Sequence, residues 1–216
     1  MSGASNGLVL DAVAIGIGGA TLIERLDLAI APGGVATVMG PSGSGKSSLL
    51  AYVAGFLDTR LFDAAGAVRL DGLDVTRLRP EQRRIGLLFQ DDLLFPHLSV
   101  AGNLMFGVPA AISARTERLR LVEAALADAD LAGFGPRDPA TLSGGQRARV
   151  ALMRVLLSQP KALLLDEPFS RLDAALRGAF RQMVFEQARR RGLPVLMVTH
   201  DRQDADAAGG DLVELA

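Results

Sequence analysis

Apolar residues follow different spacings in different parts of the chain. Short continuous apolar runs, of which Val35–Met39 is the clearest, are typical of strands buried on both faces of a parallel sheet. Apolar and polar residues alternate at 8–13 and 22–30, and this predicts two antiparallel strands. Further strands are predicted at 66–72, 85–89, 162–165, 194–199 and 211–215, and helices at 48–54, 100–106, 116–128, 145–157, 173–190 and 201–208.

The order of these elements predicts an α/β fold with a mostly parallel sheet and an N-terminal antiparallel β subdomain. Between residues 91 and 139 the strands give way to helices joined by loops that contain Pro and Gly. We interpret 91–139 as an inserted helical subdomain and 1–90 with 140–216 as the core, so that 1–216 form a single domain. Ligands are expected at the carboxyl ends of the core strands.

Composition excludes several classes of function. The 216-residue chain carries 23 basic and 24 acidic residues, which favours neither nucleic acid nor an anionic membrane as a partner. Because it has no cysteine, thiol nucleophiles, thiolate metal sites and disulfides are excluded. No apolar run reaches the ~20 residues of a membrane span, and the glycine-interrupted stretch 13–20 is not typical of a signal peptide. We expect a soluble protein that reaches a membrane only through a partner.

A glycine-rich turn that ends in Gly-Lys-Ser follows Val35–Met39 and leads into a predicted helix. This is the context of a phosphate-binding loop, in which backbone N–H groups and the lysine hold phosphate oxygens and the serine hydroxyl suits Mg²⁺. Only two of the 23 basic residues are lysines, and one stands here, where a planar guanidinium would fit badly. The predicted nucleotide-binding residues are Gly40, Pro41, Ser42, Gly43, Ser44, Gly45, Lys46, Ser47 and Ser48.

Two carboxylates, Asp166 and Glu167, follow the buried run 162–165. Successive strand residues point to opposite faces, so the two acids are expected to have different roles. Asp166 suits the Mg²⁺ shell, directly or through water, together with Ser47. Glu167 can accept a proton from the water that attacks the γ-phosphate, or orient that water. The alternative interpretation of Asp-Glu-Pro is an acidic helix N-cap.

A second candidate anion site lies at the start of the helix predicted at 145–157. Its residues are Ser143, Gly144, Gly145 and Gln146. A Ser-Gly-Gly start leaves N–H groups and the helix dipole directed at an anion. The alternative is a Ser N-cap followed by permissive glycines, which by itself is the better explanation.

These segments together resemble a known family. Leu142–Gln146, followed by Arg147-Ala148-Arg149, lies between a phosphate loop and an Asp-Glu strand end, and this resembles the signature of ATP-binding cassette (ABC) ATPases. In the same order, Gln90 matches the Q-loop glutamine, 170–173 the D-loop, and His200 the switch histidine. Together these motifs extend in one order through nearly the whole chain.

The resemblance implies a P-loop NTPase with a RecA-like core that acts as a head-to-tail dimer on ATP and Mg²⁺. Ser143 and Gly145 of one subunit would contact the γ-phosphate held by the other, and Asp173 would lie at the dimer interface. His200 would support the γ-phosphate and the attacking water. Gln90 would bind Mg²⁺ and report the nucleotide to the helical subdomain. Lys46, Gln90, Glu167 and His200 are thus the candidate catalytic residues.

The short segment 94–100, just after Gln90, resembles the same segment in importer ATPases of the thiamine type and related systems. The resemblance implies a permease and a solute-binding protein as partners, with the chain at the cytoplasmic face of the membrane. The apolar residues Leu93, Leu94, Phe95 and Leu98 would suit a partner groove, or else local packing. A nontransport ABC ATPase, an ATP-gated switch without turnover and an exporter ATPase are the alternatives; no regulatory C-terminal domain is expected.

The chain departs from the family pattern at two positions. The family usually carries an aromatic residue in the first strand region, where it stacks on adenine, but residues 8–21 contain none and Ile15-Gly16-Ile17 stand near that place. The D-loop carries Arg171 where a small residue is common.

Overall fold

The computed structural model describes residues 7–215. They form two compact units: the first contains the described chain up to Leu87, Lys161–Glu167 and the chain from Phe185 onward, and the second contains Leu88–Pro160 and Pro168–Val184. The strands are β1 Leu8–Ile17, β2 Ala20–Ile30, β3 Val35–Met39, β4 Phe62–Leu70, β5 Leu73–Asp74, β6 Ile85–Leu88, β7 Ala162–Asp166, β8 Val195–Thr199 and β9 Asp211–Glu214. The α-helices are α1 Lys46–Ala54, α2 Pro80–Arg83, α3 Val100–Met105, α4 Arg115–Asp128, α5 Gly144–Leu157, α6 Ala174–Arg190 and α7 Arg202–Ala208, and Pro139–Thr141 is a 3₁₀ turn.

The parallel sheet has the strand order β6-β7-β8-β3-β9, in which β8 pairs in parallel with both β7 and β3. In this register Met39 lies beside Thr199, and Asp166 beside Val198. The chain therefore leaves β3, β7 and β8 at the same edge of the sheet, as predicted for an α/β fold. All five residues of β8 are buried, which explains its continuous apolar run.

The antiparallel sheet has the order β2-β1-β4-β5 and shares the buried core of the first unit with the parallel sheet and α1. Along β1 the buried positions are Leu8 and Leu10, then Val13 and Ile15. This change of parity marks a β-bulge, at which Ala12 adopts a φ of 51°. The extra residue returns the inward face of β1 to the core.

The predicted strand 66–72 was wrong at its start, because β4 already begins at Phe62. Glycine is a usual strand boundary, but Gly66 lies inside the strand opposite the bulge, with a φ of 94° that favours glycine. The same long pairing extends β1 beyond the predicted end, to Ile17. The other predicted helices and strands are present with small shifts at their ends.

In the second unit, helices α3, α4 and α5 pack together. Their buried faces follow the helical spacing of apolar residues and include Val100, Leu104, Val122, Leu126, Val150 and Met153. The predicted helical subdomain 91–139 lies within this unit, which also contains α5. The division at 91 and 139 stays a prediction. No helix of the described chain is long and apolar enough to cross a membrane.

Candidate functional site

The phosphate loop follows β3 and ends at the N-terminus of α1. Gly43 and Gly45 have φ values of 87° and 89°, which glycine adopts without strain. Gly45 is the N-cap of α1, and no side chain caps the helix there. The first N–H groups of α1 are therefore directed at the position of an anion.

Lys46 is buried, and its ammonium donates to the carbonyl oxygens of Gly40 at 2.7 Å and Pro41 at 2.8 Å. An ammonium has three donors, and these bonds use two of them. The hydroxyl of Ser44 is also buried and has no hydrogen-bond partner among the described residues. A loop with a buried cation, a buried hydroxyl and an uncapped helix start fits a phosphate chain.

Asp166, the last residue of β7, lies close to the phosphate loop. The Ser47 hydroxyl donates to Asp166 Oδ1 at 3.4 Å. Burial raises the pKa of the Asp166 carboxyl and the neighbouring Glu167 charge raises it further, against the Ser47 hydrogen bond and the Lys46 charge. A half-buried carboxylate beside a hydroxyl offers hard oxygen ligands that fit a divalent cation.

Glu167 follows directly and has a φ of 43°, a left-handed conformation that is uncommon for a residue with a side chain. Its N–H donates to the carbonyl of Val198 at 3.0 Å, which anchors the turn to β8. The Glu167 carboxylate lies 3.0 Å from Nδ1 of His200. Glu167, predicted from its position to act on the attacking water, and His200, assigned to the same water by the family resemblance, are thus in direct contact.

His200 is placed by the loop between β8 and α7. The buried Thr199 hydroxyl donates to Asp204 at 3.2 Å and accepts from the N–H of Asp201 at 3.1 Å. Asp201 caps α7 by accepting from the N–H of Gln203. These bonds fix the backbone on both sides of His200, whose side chain is 61% exposed.

A cavity of about 440 Å³ adjoins the phosphate loop. It is lined by Ile17, Leu22, Phe62 and Glu167 together with residues of the loop, Ser42, Gly43 and 45–48. Phe62 was not predicted as a site residue, because it belongs to no motif. The pairing of β1 with β4 is the signal that identifies it, and that pairing joins residues distant in sequence.

In the second unit, Ser143 is the N-cap of α5. Its hydroxyl accepts from the N–H of Gln146 at 3.3 Å, and the Gln146 side chain accepts from the N–H of Ser143 at 2.9 Å. This capping box is the alternative considered for the Ser-Gly-Gly start. The Ser143 hydroxyl accepts in this bond and keeps its own proton for donation. Gly144 is exposed and Gly145 is buried against Leu176.

Of the three remaining residues considered in the second unit, Asp173 and Arg171 have structural partners. Gln90 is exposed after β6, and its role as a metal ligand stays a prediction. Asp173 caps α6 by accepting from the N–H of Leu176 at 2.9 Å. Arg171 forms an ion pair with Asp91.

The apolar segment after Gln90 is partly packed and partly exposed. Phe95 lies 4.7 Å from the ring of Phe106, and Asn103 bonds both the N–H and the carbonyl of Phe95. Leu93 is 53% exposed. Local packing therefore accounts for Phe95, whereas Leu93 remains accessible.

The fold and the phosphate loop define a P-loop nucleotide-binding protein. A family model described as "ABC transporter" matches residues 23–170, which is more than half of the chain. The chain therefore belongs to the ABC transporter family, as the order of motifs predicted.

Curated relatives agree with this assignment. The chain is 50% identical over 186 residues to an uncharacterized ABC transporter ATP-binding protein of Escherichia coli, YnjD, covering 86% of this chain and 85% of that one. It is 44% identical to the thiamine import ATP-binding protein ThiQ of Vibrio parahaemolyticus, over 85% of this chain and 76% of that one. It is 41% identical to the Fe(3+) ions import ATP-binding protein FbpC of Pasteurella multocida, over 95% of this chain but only 58% of that one.

These findings confirm four predictions: the ABC family, the α/β P-loop fold, ATP binding, and an ATPase of the importer type of ABC transporter.

Proposed function

We propose that the chain binds ATP with Mg²⁺ in its phosphate loop and hydrolyses it with Glu167 as general base. The observation that carries this proposal is the contact of Glu167 with His200 at 3.0 Å, at the edge of the sheet where the phosphate loop begins. Glu167 accepts the proton of the attacking water, and His200 holds the carboxylate in position and supports the γ-phosphate. A base oriented by a third group is the usual arrangement for activating a nucleophile.

The phosphate loop and Asp166 hold the nucleotide and the metal. The Lys46 ammonium turns toward the outer phosphates, and the uncapped N–H groups of α1 bind phosphate oxygens. Ser47 and Asp166 would hold Mg²⁺, which would supply positive charge beside the phosphates. The raised pKa of Asp166 supports this role, because it shows that the desolvated carboxylate lacks a compensating positive charge, which a bound cation would supply.

Two subunits close head to tail over ATP. The start of α5 contributes Ser143 and Gly145 to the γ-phosphate of the partner subunit, and the free proton of the Ser143 hydroxyl together with the helix dipole supports this role. ATP drives closure only if it binds the closed dimer more tightly than the open one. Hydrolysis removes that difference and resets the dimer.

Closure powers import through a membrane permease. The names of several relatives state import of Fe(3+) ions, thiamine or taurine. The exposed Leu93 directly precedes the segment 94–100 that resembles importer ATPases. We place the chain on the cytoplasmic face of the membrane, bound to permease subunits that receive cargo from a solute-binding protein. The transported solute is a property of those partners.

The test compares ATP turnover by the wild type, Glu167→Gln and the matched control Glu186→Gln, an exposed glutamate on α6. Loss of a general base lowers turnover by about 10²–10⁴-fold, so Glu167→Gln is expected to lose a factor in that range while Glu186→Gln keeps the wild-type rate. With ATP and Mg²⁺, Glu167→Gln is expected to sediment as a dimer. Equal turnover in the wild type and Glu167→Gln would contradict the proposal.

A further inference from the structure

We infer that Phe62 supplies the aromatic surface on which the base of the bound nucleotide stacks. The inference rests on the proposed function and concerns the part of the ATP site for which strand β1 provides no aromatic residue. Phe62 begins β4 and lines the cavity of about 440 Å³ that the phosphate loop also lines. It is the one aromatic side chain among the described residues of that cavity.

The pairing of β1 with β4 places Phe62 at this position. Ile17, the last residue of β1, lies directly opposite Phe62, the first residue of β4. Side chains of directly opposed residues in an antiparallel pair lie on the same face of the sheet, close enough to touch. Ile17 and Phe62 therefore form one apolar wall, which Leu22 of β2 extends in the cavity lining.

The bulge at Ala12 decides which side chain reaches the wall. Before the bulge Leu8 pairs with Leu70 and Asp11 with Ala67, whereas after it the register shifts by one residue. Without this shift Leu61 instead of Phe62 would stand opposite Ile17. A slip of one residue also exchanges the two faces of a strand, so the bulge is what turns the ring of Phe62 toward the phosphate loop side.

Three contacts hold the wall in place relative to the phosphate loop. Leu22 packs on the loop backbone, since a Cβ added to Gly45 would lie 3.0 Å from the Cβ of Leu22. The Tyr52 hydroxyl on α1 donates to the carbonyl of Gly66 at 2.8 Å, which ties β4 to the helix that the loop begins. The N–H of Phe62 donates to the carbonyl of Asp58 at 3.0 Å and fixes the start of β4.

The chemistry of the wall fits a nucleobase. The phosphate loop, which can hold phosphate oxygens, and the apolar wall line the same cavity. An aromatic ring flanked by aliphatic side chains offers a surface on which a planar base can stack. Ile17, Leu22 and Phe62 carry no side-chain hydrogen-bond donor or acceptor that could read the edge of the base. Stacking accepts every base, so the wall adds affinity without strong selection among nucleotides.

The first experiment compares binding of ATP and of inorganic tripolyphosphate, both without Mg²⁺, by calorimetry. Base–aromatic stacking lost by alanine substitution corresponds to about a 5- to 150-fold loss of affinity. Phe62→Ala is expected to lower the affinity for ATP by that factor and to leave the affinity for tripolyphosphate within about twofold of the wild-type value. The control is Leu61→Ala, the exposed residue directly before β4, which does not line the cavity and is expected to change the binding of neither ligand.

A second variant keeps the inference testable should Phe62→Ala fold poorly. The chain contains no tryptophan, so Phe62→Trp introduces a single indole at the proposed contact. ATP is expected to change the indole fluorescence and to bind at least as tightly as to the wild type, while tripolyphosphate leaves the fluorescence unchanged. Equal loss of ATP and tripolyphosphate in Phe62→Ala, no loss of either, or an indole insensitive to ATP would each overturn the inference.

These outcomes separate the two proposals. If Phe62→Ala leaves ATP affinity unchanged while Mg²⁺-dependent turnover still depends on Glu167, the stacking role fails and the proposed function stands. If the wild type binds neither ATP nor tripolyphosphate, both the stacking role and the proposed function fail.

Discussion

Gly66 is the glycine on which the register of β1 and β4 depends, and its replacement by alanine gives a sharp stability prediction. Its φ of 94° is a conformation that residues with a Cβ rarely adopt. A Cβ at this position would also lie 2.6 Å from the Cα of Val13 and still closer to the carbonyl oxygen of Ala12. Both neighbours are backbone atoms of β1, so the strands themselves must move to relieve the clash.

The expected cost has two parts. The left-handed conformation costs an alanine about 1–2 kcal/mol. Overpacking against backbone that cannot rotate away adds about 1–3 kcal/mol. Gly66→Ala is therefore expected to lower the free energy of unfolding by about 2–5 kcal/mol.

Gly19 separates the two parts. It lies in the turn between β1 and β2 with a φ of 82°, and a Cβ there would meet nothing within 4 Å. Gly19→Ala therefore carries the conformational cost alone, about 1–2 kcal/mol. The difference between the two variants in the free energy of unfolding measures the cost of overpacking where β4 lies close to the bulge.

Tyr52 is a built-in reporter for this measurement. It is the only tyrosine in a chain without tryptophan, and its hydroxyl donates to the carbonyl of Gly66. Urea unfolding followed by tyrosine emission thus reports on the unit that contains the bulge. Because the two compact units need not unfold together, the midpoints are compared, and a shift of roughly 1 M urea or more is expected for Gly66→Ala. A midpoint no lower than that of Gly19→Ala would refute the reasoning.

Two further predictions concern the catalytic edge. His200→Ala and Glu167→Gln are each expected to lower kcat by about 10²–10⁴-fold. Because the two side chains are in contact, the double variant is expected to lose no more activity than the less active single variant. If the two losses multiply in a steady-state ATPase assay, the two residues act independently. Asp166→Asn is expected to raise the apparent melting temperature in Mg²⁺-free buffer at alkaline pH, since it removes a half-buried charge whose pKa is raised by burial. As the pH falls through that raised pKa, the wild-type carboxyl becomes protonated and no longer destabilises the fold through its charge. The difference in melting temperature between Asp166→Asn and the wild type should therefore shrink on acidification. A difference that grows would contradict burial as the cause of the raised pKa.

Much of the nucleotide site could be predicted from local sequence. The buried run Val35–Met39, the glycine-rich turn and the helix that ends at Gly55 are neighbours in the chain, and their periodicity and turn residues specify them. The residues at the start of α5 are also neighbours in the chain, so one short segment predicted both an anion site and, as the alternative, an N-cap. The structure shows the N-cap as a capping box.

Contacts between distant segments could not be predicted in this way. Glu167 was assigned from its position after a buried strand and His200 by resemblance, but their contact depends on the parallel pairing of β7 with β8. The start of β4 was predicted wrongly because Gly66 reads as a boundary in the sequence, whereas it is the residue that fits against the bulge.

The sequence by itself determined the class of protein, the phosphate loop, the order of the motifs and most helices and strands, because these depend on residues close together in the chain. Only the tertiary structure decided which side chain completes the wall beside the phosphate loop. A single extra residue at Ala12 shifts the register between β1 and β4 and brings Phe62 opposite Ile17. Register is set by the packing of whole strands on a common core, and no local pattern records it.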